Sequence, residues 1–119
     1  MASSRASSRV LARNMEQAGS VRPKETAAHH IVAGGAEKAE AARTSLSKLG
    51  IDINAHENGV FLPRNMNSSN PTGAAVHSTI HTKAYYDAVN QALRKVSTLE
   101  EAVDVLSDIR SQLLSGGFP

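Results

Sequence analysis

Four of the five histidines in this chain fall in two short stretches, Ala28-His29-His30-Ile31-Val32 and His77-Ser78-Thr79-Ile80-His81. Histidine is the commonest metal ligand and the side chain whose ordinary pKa lies nearest neutrality. Two pairs therefore point to a metal site with a base beside it. If His77 and His81 are both helical, their i, i+4 relation puts them on one face with Cβ atoms roughly 5–6 Å apart, close enough to share an ion. A third ligand then comes from His29 or His30, which leaves the neighbouring imidazole free as a base. Successive strand residues point to opposite sides, so both can serve one site only if the strand ends or bends there, or if the substrate sits between them. The helix pair lacks the Glu of H-E-x-x-H, which argues against a metalloprotease and leaves histidine as the base.

Composition limits the ligands. The chain has no cysteine, so a disulfide framework and a thiolate zinc site are both excluded, and any ion must be held by His, carboxylate, amide, carbonyl or water. With 119 residues and 40% hydrophobic content, one domain with a single modest core is expected. The aromatics are only Phe61, Tyr85, Tyr86 and Phe118, so that core must be built from Ala, Val, Leu and Ile. A net charge of +2 is too small to indicate nucleic acid by itself, but it is unevenly spread. Arg5, Arg9, Arg13, Arg22 and Lys24 make the first quarter basic, whereas Glu100, Glu101, Asp104 and Asp108 make the last segment acidic. No run approaches the roughly 20 apolar residues that span a bilayer, and the opening residues lack the apolar stretch of a signal peptide.

The elements that must position these residues follow from pattern and punctuation. Residues 1–8 read as a Ser/Ala-rich flexible arm or linker end, and Val10–Gln17 as a short helix stopped near Gly19. Together, residues 1–22 form a basic N-terminal arm with a short helix, and residues 23–119 the main domain. Ala27–Ala33 reads as a strand broken by Gly34-Gly35. Ala36–Leu49, rich in Ala, Glu, Lys and Leu, reads as a helix closed by Gly50. Ile51–Asn54 is a brief extended piece, and Asn58-Gly59 a turn pair before a second strand, Val60–Leu62, ended by Pro63. A loop over Arg64–Gly73 precedes a helix over Ala84–Val96, with Thr82 as its cap and Ala84, Ala88, Leu93 and Val96 as buried candidates. A last helix starts at Thr98 with a Thr-x-x-Glu capping box to Glu101 and runs to Leu114, with Val103, Leu106, Ile109, Arg110 and Leu113 mostly on one face.

Taken together, Ala28-His29-His30-Ile31-Val32, the helix leading into Leu49-Gly50-Ile51-Asp52, the run Asn58-Gly59-Val60-Phe61-Leu62-Pro63 and the spaced set His77-x-x-x-His81-x-x-x-Tyr85 resemble the AHH nucleases. These belong to the HNH/endonuclease VII superfamily with the ββα-metal, or His-Me finger, fold, and the resemblance covers about residues 20 to 96. It implies an α+β, mostly helical fold: a ββα-metal core with a helix inserted between the two strands and extra N- and C-terminal helices. It further implies a metal-dependent endonuclease, a DNase before an RNase, using a divalent ion such as Mg2+, Mn2+, Zn2+ or Ni2+. His29 would then be a metal ligand, His30 the general base, and His81 with His77 the rest of the metal site. The pair supplies one ligand or two, depending on whether Thr82 caps the helix and leaves His77 outside its register. Asn58 matches the asparagine that holds the finger loop and helps orient the base.

Members of this family occur as C-terminal toxin domains of bacterial polymorphic toxins, paired with an immunity protein. The same resemblance therefore implies delivery from a producing bacterium into a target cell cytoplasm and a cognate immunity protein of acidic character. Met1 fits either an expression start or a genuine short chain. The plain readings stand beside these: satisfied histidines at a strand end, a surface pair on a helix, an ordinary turn at Asn58-Gly59, core packing for Tyr85, and a solvent-facing His56. Arg22, Arg64 and Lys83 are candidate phosphate contacts, against a background in which exposed basic residues are simply solvated. A non-catalytic metal- or nucleic-acid-binding module on the same scaffold is the alternative function.

Overall fold

A computed structural model describes residues 5–119. Its centre is a two-stranded antiparallel sheet, β1 (Thr26–His30) and β2 (Gly59–Pro63), in which His29 lies opposite Val60 and His30 opposite Gly59. Four α-helices surround it: α1 (Ser8–Gln17), α2 (Glu40–Lys48), α3 (Lys83–Leu93) and α4 (Leu99–Ser115). The order is thus helix, strand, helix, strand, helix, helix, which is the α+β arrangement with an inserted helix that the sequence implies.

Two apolar clusters fix the sheet. On one side Leu11, Ala12 and Met15 of α1 pack on Ala28 and Phe61. The larger core gathers Ile31, Val32, Leu46, Val60 and Leu62 with Tyr85, Val89 and Leu93 of α3 and Leu106, Ile109 and Leu113 of α4. In α3 the buried residues are Tyr85, Val89 and Leu93, whereas Ala84 is exposed and Ala88 half-buried. The buried face is therefore one residue out of register with the expected one at its start, because the larger Tyr85 and Val89, not Ala84 and Ala88, pack into the core. The Thr98–Glu101 capping box of α4 forms as expected, satisfying otherwise orphaned N–H groups of the first turn.

Several local expectations are corrected. Strand β1 stops at His30, short of Gly34-Gly35, because the Ile31 and Val32 amides turn to the carbonyl and side-chain oxygen of Asn58. The helix expected from Ala36 opens as a 3-10 turn, Glu37–Ala39, before α2. Ile51–Asn54 is not extended but a turn. Asn58-Gly59 is not a hairpin turn either: Asn58 ends a 3-10 turn and Gly59 opens β2. Glycine at 59 serves close packing instead, since a Cβ there would lie 2.7 Å from Leu11 Cδ1 and 2.6 Å from Met15 Sδ and make those α1 side chains shift. The flexible arm read over residues 1–8 lies outside the described residues for its first four positions, and from Arg5 to Ser7 the chain is tied down on Asn54.

Candidate active site

His29 ends up in the core. It is 2% exposed, and its Nε2 lies 2.7 Å from the Tyr85 hydroxyl, which donates to the Ile31 carbonyl at 2.7 Å. With its proton committed to Ile31, the Tyr85 oxygen accepts, so His29 carries its hydrogen on Nε2 and presents a bare Nδ1. Burial raises the Tyr85 pKa and keeps that hydroxyl protonated. Tyr85 therefore packs in the core, the role the sequence favours, and also hydrogen-bonds His29.

His77 and His81 come to meet that Nδ1, and of the two routes left open it is the one in which Thr82 caps the helix. They do not form an i, i+4 pair on one helix: His77 opens a 3-10 turn, His77–Thr79, and His81 precedes the Thr82 N-cap of α3. The Thr82 hydroxyl accepts from the Tyr85 amide at 3.1 Å, which starts α3 at Lys83 and leaves both histidines in the approach to it. His77 Nδ1 nevertheless lies 3.1 Å from His29 Nδ1. The His81 ring sits 5.7 Å from that of His29 and 5.1 Å from that of His77, centre to centre.

One ligand nitrogen from each of His29, His77 and His81 falls within 4.8 Å of the other two. Two nitrogens bound tetrahedrally at 2.0–2.1 Å stand about 3.3 Å apart, close to the His29–His77 separation. His29 and His77 are also held towards the neutral state. Burial, then the proximity of His77, His81 and His30, lowers the His29 pKa to about 3. Burial, then the proximity of His81 and His30, lowers that of His77. Neutral imidazoles are what a divalent transition ion requires. Three protein ligands, one of them on the exposed His81, match the open coordination of a catalytic site rather than the closed one of a structural site. The residues present fit a divalent metal.

His30 takes the other direction. It is half-buried at the end of β1, and its Nε2 lies 2.9 Å from Asn54 Oδ1. Its proximity is the smallest of the causes that lower the pKa of His29 and His77. Asn58 is fully buried. Its side chain accepts from the Val32 amide and donates to the Val32 and Ile53 carbonyls. It stitches the finger loop, while the hydrogen bond to the His30 ring comes from Asn54, which the sequence did not single out. Arg110 reinforces the same loop by donating to the Gly59 and Glu57 carbonyls. His56 is exposed, 3.3 Å from Glu57, and stands apart from the cluster.

Among the basic residues, Arg22 and Arg64 converge: both donate to the Thr26 carbonyl, at 2.9 and 3.2 Å. Neither is in an ion pair among the described residues, whereas Lys83 is held 2.7 Å from Asp87.

A model of the AHH family, described as a nuclease family of the HNH/ENDO VII superfamily with conserved AHH, matches residues 10–113. No curated protein and no solved structure matches the chain.

Proposed function

The chain belongs to the AHH family of nucleases within the HNH/ENDO VII superfamily, and on that premise we propose that it is a metal-dependent endonuclease that hydrolyses phosphodiester bonds in DNA. The observation that carries this reading is the convergence of His29, His77 and His81 on one small volume with His30 adjacent but bonded elsewhere. His29, His77 and His81 would hold the ion and His30 would act as general base. A divalent ion held there supplies charge neutralisation at the scissile phosphate and on the departing oxygen.

The chain's own part is positioning and proton transfer. With Nε2 occupied by Asn54, His30 takes the proton of the attacking water at Nδ1, and its half-buried position keeps the imidazole within reach of solvent and substrate. Asn58 holds the loop from which β1 and β2 depart, so that His29 and His30 keep their places relative to the finger. Arg22 and Arg64, gathered at Thr26 without a carboxylate, are suited to the phosphates that flank the cut. A groove along α1 lined by Arg9, Arg13 and Arg22, with Glu16 its one acid, adds to this basic face. Such contacts read the backbone and carry little sequence preference.

The wider biological reading rests on the family resemblance and on this basic face. In it the chain is the toxic C-terminal domain of an antibacterial effector, delivered into the target cell cytoplasm and neutralised by an acidic immunity protein. Expressing the wild type and His30→Ala inside bacteria tests it: growth arrest by the first alone supports the toxin role, and equal growth contradicts it. For the chemistry, supercoiled plasmid and a structured RNA are incubated with the protein and Mg2+, Mn2+, Zn2+ or Ni2+, with and without a chelator. Nicking of the plasmid that the chelator stops is expected. Metal uptake and a salt-dependent gel shift without products under any ion would instead identify a non-catalytic binding module.

A further inference from the structure

Asn54 is 3% exposed and lies in the turn between α2 and β2. Its main-chain N–H donates to Asp52 Oδ1 at 2.8 Å, and its carbonyl accepts from Asn14 Nδ2 at 2.8 Å. The side chain is bound just as closely. Oδ1 accepts from the Ser7 amide at 2.8 Å, and Nδ2 donates to the Arg5 carbonyl at 2.7 Å. These backbone partners have fixed roles, since an amide N–H only donates and a carbonyl only accepts. They remove the two-fold ambiguity that an asparagine side chain otherwise has.

The consequence reaches His30. Because Oδ1 can only accept, the 2.9 Å contact with His30 Nε2 requires the proton on that nitrogen, and Nδ1 is left as the lone pair. The segment Arg5–Ser7 can lie against Asn54 only because position 34 is glycine: a Cβ there would overlap that of Ala6, and its next neighbours are Ala6 Cα at 3.4 Å and Ile53 Cγ1 at 3.5 Å. Gly34 thus provides the seat of the N-terminal segment, not the end of the strand.

We propose that the Arg5–Ser7 strap and Asn54 form a positioning device for the general base, the strap orienting the Asn54 amide and Asn54 setting the tautomer and direction of the His30 ring. The proposal rests on the reading of His30 as the base. Asn54 and the strap touch no reacting atom and act through His30 alone, so the metal ligands are outside their influence.

The test uses the full chain with 15N-labelled histidine. In the metal-free wild type, long-range proton–nitrogen correlation spectra should show His30 as a single Nε2–H tautomer. Asn54→Ala should give mixed tautomers and lower kcat by about 10²-fold, the size expected when a reacting group is misplaced by roughly 1 Å. KM and the metal affinity measured by calorimetry should hold. Gly34→Ala should do the same from a distance by expelling Ala6, and the double variant Gly34→Ala/Ala6→Gly, which removes the overlap, should restore both tautomer and kcat. This rescue distinguishes a strap effect from a general loss of folding. Wild-type tautomer and rate in Gly34→Ala would overturn the proposal, as would an equal loss of metal affinity in Asn54→Ala. A His30→Ala variant that still cleaves would instead sink the assignment of the base, and the tautomer spectra would then judge the strap by themselves.

Discussion

The Tyr85 hydroxyl stands 2.7 Å from His29 Nε2 and donates its own hydrogen bond to the Ile31 carbonyl. Residues 56 positions apart in sequence are thereby joined so that the buried histidine turns Nδ1 toward His77 and His81. Such outer partners fix the tautomer of a ligating imidazole and raise its basicity.

Tyr85→Phe removes that partner and leaves a buried Nε2–H and the Ile31 carbonyl unpaired. Metal affinity should fall about 10- to 100-fold, and stability by about 1–3 kcal/mol. Calorimetric titration and urea denaturation measure the two. An unchanged affinity would show that packing is the whole of the residue's role.

Metal-free stability should depend on pH through His29. Its pKa is about 3 in the folded protein against an ordinary 6.5, so protonation favours the unfolded chain. The stability contributed by the neutral ring is fully present above about pH 6.5 and declines as pH falls from there towards 3. His77, shifted the same way, adds to the decline. Urea midpoints taken with chelator at pH 7.5, 5.5 and 4.5 should fall in that order, and the slope should flatten in His29→Gln. Midpoints independent of pH would contradict the depressed value.

Arg22→Ala and Arg64→Ala, combined, should raise KM for plasmid and reduce the salt dependence of binding by about one unit of log–log slope for each phosphate that the arginines no longer neutralise. Their effect on kcat at saturating substrate should be slight. Lys83→Ala should do less, because Asp87 already offsets that charge. Equal effects of all three would mean that diffuse charge, not the pair at Thr26, carries the binding.

The family and the histidine cluster were legible in the sequence because they reside in residue type. Two histidine pairs in a chain without cysteine, set around an Asn-Gly and a short strand, pointed to the family and to the three histidines that converge. Local signals such as the Thr98–Glu101 capping box and the Thr82 cap were legible for the same reason, each being written within four residues. What stayed hidden depends on contacts distant in sequence. Asn54 lies 24 residues from His30 and 47 from Ser7, and nothing in its neighbours marks it. Of the two arrangements left open for His77 and His81, the helical pair does not form, because the Thr82 cap starts α3 only at Lys83, and tertiary packing, not helix periodicity, brings the two rings together. Gly34 and Gly59 read as punctuation, yet each serves the close approach of the N-terminal segment, which only the folded chain reveals.

The most direct test of the assigned roles places His30→Ala beside His29→Ala and His81→Ala, measuring divalent-metal affinity and plasmid cleavage on the same samples. His30→Ala should bind metal as the wild type does and fail to cleave, while the other two lose both together. Loss of metal binding in His30→Ala equal to theirs, or cleavage that survives it, would contradict the division between base and ligands.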